Sequence, residues 1–286
     1  MRKSSVIQTQ SWLYKYIRAC EEKSKESPYD LQCKMLCAPI VKSFPEINPE
    51  ELQYELLNYG LFDPYKWRDA GKQVEKLEKQ SIWQIVEQEY RFLKTLWKGP
   101  EISIYIYPLN TVHQSKSEQA PTKNGVAYRS TLFMFLSEGL RVEEIKALLA
   151  HEYSHICRLN HLGLESKKIP LKDSLIIEGF GEFAVKELYG EKWQAPWTDL
   201  YSLKEATQIW TKHFIPNLNL LGTENHHIFL YGKARSPFPK WIGYHIGYQI
   251  IDTFQKKHGP FHNSKLYQMS SDELIAGSNF PATKPP

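Results

Sequence analysis

Cysteine is scarce in this chain, with four in 286 residues: Cys20, Cys33, Cys37 and Cys157. A disulfide scaffold uses cysteine far more densely, so the thiols are expected to be free in a reducing compartment. Cys33 and Cys37 are one helical turn apart. They have no histidine nearby, and they read as buried thiols rather than as part of a metal site. Long apolar runs are also missing. No stretch approaches the ~18 apolar residues of a membrane span. The opening MRKSSVIQTQSWLYKY has basic residues but no apolar core of a secretory signal. The expected location is therefore cytoplasmic. Excess charge of one sign is absent too. The formal net charge is +4, with no basic run longer than a few residues, so nucleic acid is not an expected partner. There is no internal repeat and no low-complexity tract.

What remains is an ordinary globular composition, 42% hydrophobic and 24% charged. The length suits one large domain, or a catalytic domain with a helical extension. Aromatic residues reach 13%, which favours thick helix packing and an aromatic-lined cleft. Apolar residues recur at helical spacing over residues 10–26, 31–44 and 71–97, and Asn48-Pro49-Glu50-Glu51 has the form of a helix start. The character changes at Gly99-Pro100. Residues 102–107 and 126–136 read as strands that could pair as a hairpin around a polar loop at 111–124. Helices are expected again at 141–159, at 173–189 with Asp173 as cap and Gly190 as stop, and at about 239–257. The predicted fold is a mostly helical α+β protein with a small sheet before the helix at 141–159. Residues 1–98 form an N-terminal helical region, 99–278 the catalytic domain and 279–286 a tail.

His151-Glu152-Tyr153-Ser154-His155 is an HExxH motif inside a predicted helix, the context that motif needs. Residues four apart share a helix face, so the two imidazoles can converge on one zinc ion. Glu152 is then at their flank, where it can take a proton from water without binding the metal. Catalytic zinc needs a third protein ligand. On the next helix, Glu178 and Glu182 are again four apart, within IIEGFGE, among residues apolar enough to bury them. Buried carboxylates need partners. Glu178 is expected as the third ligand and Glu182 as the carboxylate that orients a ligating histidine, His151, with the exchange of those two roles as the alternative. His161 is a further candidate ligand, but Arg158 stands where the longer HExxHxxGxxH pattern has its turning glycine. A developing oxyanion needs a donor besides zinc. Tyr244 and Tyr248, one turn apart, are the candidates, with His226, His227 and His245 behind them.

AHEYSH, IIEGFGE and WIGYHIGYQI together resemble the family of predicted zinc-dependent proteases found as uncharacterised bacterial proteins, over roughly residues 99–257. They also resemble the wider gluzincin clan, in which a glutamate on a following helix completes HExxH. That resemblance implies a zincin-like catalytic domain and aligns Glu178 with the ligand. Glu182 aligns with the carboxylate that supports a histidine in the thermolysin-like branch. Ile177 replaces the asparagine usual in the aminopeptidase branch, and there is no GxMEN motif to anchor a substrate amino terminus. The expected function is therefore a zinc metallopeptidase cutting peptide or protein substrates, with endopeptidase favoured. The alternatives are a binding or regulatory protein with a structural or vestigial zinc site, and a zinc hydrolase acting on a non-peptide bond.

Overall fold

The structure is a computed structural model that describes the chain apart from residues 1–4, 23–24, 111–120, 234–235, 263–264, 266, 282 and 284–286. It is a mostly helical α+β fold with one three-stranded sheet among the described residues. In chain order the helices before the sheet are α1 (Thr9–Glu21), α2 (Pro28–Gln32), α3 (Pro49–Tyr59), α4 (Trp67–Lys79) and α5 (Ile82–Trp97). The strands are β1 (Ser103–Pro108), β2 (Lys123–Tyr128) and β3 (Thr131–Leu136). After them come α6 (Val142–Leu162), α7 (Leu171–Tyr189), α8 (Leu203–Ile209), α9 (His227–Tyr231), α10 (Ile242–His258) and α11 (Ser271–Gly277). No described helix is long and apolar enough to cross a membrane.

Local chemistry explains most of these boundaries. Asn48 caps α3 with Glu51 in a reciprocal capping box, and Pro49 occupies the first turn. The helix expected over 71–97 is two helices, because Ser81 adopts a left-handed φ of 56° between them. The helix expected over 31–44 is likewise divided. A π-helical turn at Cys33–Cys37 follows α2, and a 3-10 turn at Val41–Ser43 follows that. The cysteines are free.

The strand pairing differs from the expected hairpin. The span 126–136 contains parts of two strands, and β2 turns back antiparallel onto β3. β1 pairs parallel with β3 on its other side. β3 is therefore the central strand and is buried along its whole length, as its continuous apolar run demands. It offers no free edge for an extended peptide. Most of the expected loop at 111–124 lies outside the described residues.

The chain divides into two compact units, residues 1–92 with 101–149, and residues 93–100 with 150–286. The boundary expected near residue 98 does not match this division. Its physical reason is the core of the first unit, in which Tyr105, Tyr107, Phe133 and Phe135 of the sheet pack with Leu13, Tyr16, Leu52, Leu56 and Trp67 of the N-terminal helices. The second unit is built around α7 and α10. Thirteen of the nineteen residues of α7 are buried, so this helix is enclosed nearly all round. A Cβ on Gly179 of α7 would collide with the Gly247 carbonyl of α10, and a Cβ on Gly247 would collide with the Leu175 carbonyl. The two glycines let the helix backbones touch.

Candidate metal centre

His151, Glu152 and His155 lie on α6, and Glu178 and Glu182 on α7, all within the second unit. Their helical spacing turns each set toward a common point. Glu178 Oε2 is 3.5 Å from His151 Nε2 and 3.4 Å from His155 Nε2. One ligand atom from each of the three residues lies within 4.8 Å of the others. Two donors held about 2.0–2.1 Å from a tetrahedral zinc are roughly 3.3–3.4 Å apart, so both measured separations suit that ion. His155 Nε2 and Glu178 Oε2 are buried without a hydrogen-bond partner. Buried polar atoms are rarely left so, and a shared cation would satisfy both.

Electrostatics favours the same occupant. Three carboxylates and two imidazoles share a site whose side chains are at most 15% exposed. Burial opposes charge on His151, but the neighbouring carboxylates of Glu178 and Glu182 override it and raise its pKa well above the ordinary value. Burial would raise Glu178 as well, yet the two histidines hold it down at about 2. Glu152 behaves differently. Burial lifts its pKa, and the attraction of His155 and His151 only partly offsets this. A carboxylate with a raised pKa is suited to taking and returning a proton. It lies 3.8 Å from His155 Nδ1.

Glu182 occupies the outer position. Its Oε1 is 3.1 Å from His151 Nδ1, and its Oε2 accepts the Ala195 backbone N–H at 2.9 Å. Gln194 Nε2 donates to the Glu182 backbone carbonyl, so the loop after α7 holds both the carboxylate and the main chain of this residue. Gly181 makes room for the His151 ring. A Cβ there would be 2.6 Å from Cε1 and 2.7 Å from Nδ1 of that imidazole.

The two candidate tyrosines separate. Burial raises the pKa of Tyr244, as do the charge on Glu178, a hydrogen bond with Tyr231 and the charge on Glu152. Its phenol is therefore protonated and feels the carboxylates of Glu178 and Glu152. Tyr248, one turn on, has Gln194, Asp252 and Lys186 as its polar neighbours. The other histidines are occupied elsewhere. His161 is exposed on the last turn of α6, which continues straight past the point where a ligand loop would need to turn. His226 is bonded to Ser174 Oγ and the Leu220 carbonyl, His245 to the Trp197 carbonyl, and His227 stacks on Tyr231.

Arg158 was legible only as a missing glycine. In the structure it is a buried clamp, one turn beyond His155. It donates to the Tyr267 and Met269 carbonyls, to Ser271 Oγ and to Asp173 Oδ1, which ties α6 to α7 and to the C-terminal segment. Asp173 therefore receives this guanidinium rather than serving as the cap of α7, whose N-cap is Pro170.

The chain matches the family described as "Predicted Zn-dependent protease" over residues 82–276. It is 30% identical to the uncharacterized protein YjaZ of Bacillus subtilis (strain 168) over 253 residues, covering 87% of this chain and 90% of that protein. It is 23% identical to the uncharacterized protein YjfC of the same organism over 122 residues, 40% of each chain. No solved structure matches it.

Proposed function

This chain belongs to the family of predicted Zn-dependent proteases, and from that premise we propose that it is a zinc endopeptidase of the cytoplasm. The observation that carries this reading is the convergence of His151 Nε2 and His155 Nε2 on Glu178 Oε2, at 3.5 and 3.4 Å, with His155 Nε2 and Glu178 Oε2 buried and making no hydrogen bond. His151, His155 and Glu178 would hold the metal. Zinc bound there supplies Lewis-acid polarisation of the scissile carbonyl and makes water a nucleophile near neutral pH.

The chain's own residues supply the rest. Glu152 accepts the proton of the attacking water and delivers it to the leaving amine. Its place beside both histidines supports that role. Tyr244 keeps its phenolic proton and donates it as a hydrogen bond to the developing oxyanion. Glu182 accepts from His151 Nδ1, which fixes the ring and leaves Nε2 as the coordinating atom. Tyr248 receives no catalytic role here, because its polar neighbours are Gln194, Asp252 and Lys186.

Structural zinc is closed by four protein ligands, whereas catalytic zinc keeps a position open. Among the described residues only three come within reach as a group, which favours the enzyme over a binding protein with a structural site. The test measures zinc per chain together with cleavage of an unbiased peptide mixture. Near one zinc in the wild type, its loss in Glu178→Ala, and zinc retained without turnover in Glu152→Gln are expected. A fully zinc-loaded wild type that cleaves no peptide would overturn the peptidase reading.

A further inference from the structure

The reaction as proposed leaves a group of aromatic rings around Tyr244 unused. Trp197, Tyr231 and Trp241 approach the Tyr244 ring with centroids 5.2, 5.4 and 5.2 Å away. Trp197 and Trp241 are 4.9 Å apart, and Tyr231 and Trp241 5.2 Å apart. The rings come from three separate pieces of chain: a 3-10 turn at Pro196–Asp199, the last residue of α9 and the residue that caps α10. Aromatic clusters of this kind are most often plain core.

Four observations set this one apart. Tyr231 is 39% exposed and Trp241 is only half-buried. Trp241 holds a left-handed φ of 62°. That conformation is costly for a bulky residue, and such strain collects at ligand clamps. The indole N–H of Trp197 is buried without an acceptor among the described residues. Finally, a cavity of about 590 Å³ opens against Tyr231 and Trp241, with Pro239, Lys233 and Lys240 also in its wall. That volume is in the range of small-ligand sites, whose walls are mainly apolar and aromatic.

We infer that this cavity is the specificity subsite of the enzyme, and that it takes a large aromatic side chain of the peptide next to the bond that is cut. The inference rests on the peptidase reading, because Tyr244 is the link between the rings and the metal ligands. Rings meeting at edge and face favour an aromatic guest. Among the described residues the cavity wall has two lysines and no carboxylate, which disfavours a basic side chain and a quaternary ammonium alike.

The experiment uses the zinc-loaded full chain and peptides that differ only in carrying Phe, Ala or Lys beside the cut. At least about a tenfold preference in kcat/KM for Phe over Ala is expected, with Lys poorest. Trp241→Gly should bring the Phe-to-Ala ratio close to one. Glycine suits a positive φ, so the backbone there is spared. Tyr231→Ala, at the exposed rim, should lower the same ratio and provides a second variant. Binding is read separately in zinc-loaded Glu152→Gln, where tryptophan fluorescence should report tighter binding of the Phe peptide than of the Ala peptide. Glu152-dependent cleavage with equal rates on Phe and Ala, or a preference that survives in both variants, overturns the subsite and leaves the peptidase reading standing. No Glu152-dependent cleavage of any peptide overturns both.

Discussion

Replacing Gly181 by alanine tests whether the His151 ring is confined as described. The added Cβ would be 2.6 Å from the ring carbon Cε1, about 0.9 Å inside the ~3.5 Å at which carbon atoms pack comfortably. The neighbour is an imidazole between two carboxylates, so it has to retreat by a comparable amount. Metal–ligand distances tolerate about 0.2 Å, and the retreat also breaks the 3.1 Å contact with Glu182. Loss of an outer partner alone costs about 10- to 100-fold in metal affinity, so the fall in zinc affinity should be at least that large. Fold stability should change far less. Overpacking costs about 1–3 kcal/mol, while alanine recovers up to about 1 kcal/mol of helix propensity. The assay is competition for zinc against a chromophoric chelator, with urea unfolding of the chelated protein as control. Wild-type zinc affinity in Gly181→Ala would refute the confinement of the ring. A loss of affinity matched by collapse of the chelated fold would refute the claim that the effect is local.

Gly179→Ala should act in the opposite way, destabilising the fold by at least about 2–3 kcal/mol in urea, because its neighbour is the Gly247 backbone and not a side chain that can turn aside; a change under about 1 kcal/mol would refute the close helix contact. Arg158→Met should cost about 3–5 kcal/mol of stability by leaving Asp173 buried without its cation, and a loss below about 1 kcal/mol in the same assay would show that the clamp carries little. Burial would raise the pKa of Asp252, but Lys186 and Lys256, at 2.7 and 2.6 Å, hold it below the ordinary value. A depressed folded pKa means that its stabilisation is complete above the unfolded value near ~4 and lost as the pH falls through the folded one. The stability gap between wild type and Asp252→Asn should therefore narrow as the pH is lowered from neutral to below the ordinary carboxylate range, and a gap that stays constant in urea midpoints would refute the pairing.

The convergence of His151, His155 and Glu178 was legible because helical spacing converts sequence separation directly into a shared face. His151 with His155, and Glu178 with Glu182, needed only that step. A small sheet was legible but its pairing was not, since the parallel pairing of β1 with β3 is a contact between distant segments that leaves no local pattern. The break at Ser81 was hidden by apolar residues that keep their spacing across it. Tyr244 and Tyr248 could not be told apart, because both lie on the buried side of α10 and only their neighbours on other elements distinguish them. The stretch from Glu191 to Asp199 carried no periodic signal at all, yet it supplies Trp197 and the amide that holds Glu182.

That amide has a use of its own. Ala195 lies outside any helix or strand, and its N–H donates to a carboxylate thirteen positions back in the chain. A loop hydrogen of this kind exchanges with solvent only when its bond opens. Deuterium uptake at Ala195 therefore measures how often the outer carboxylate lets go. It does so from the backbone, in resting protein, without a substrate and without any turnover to follow.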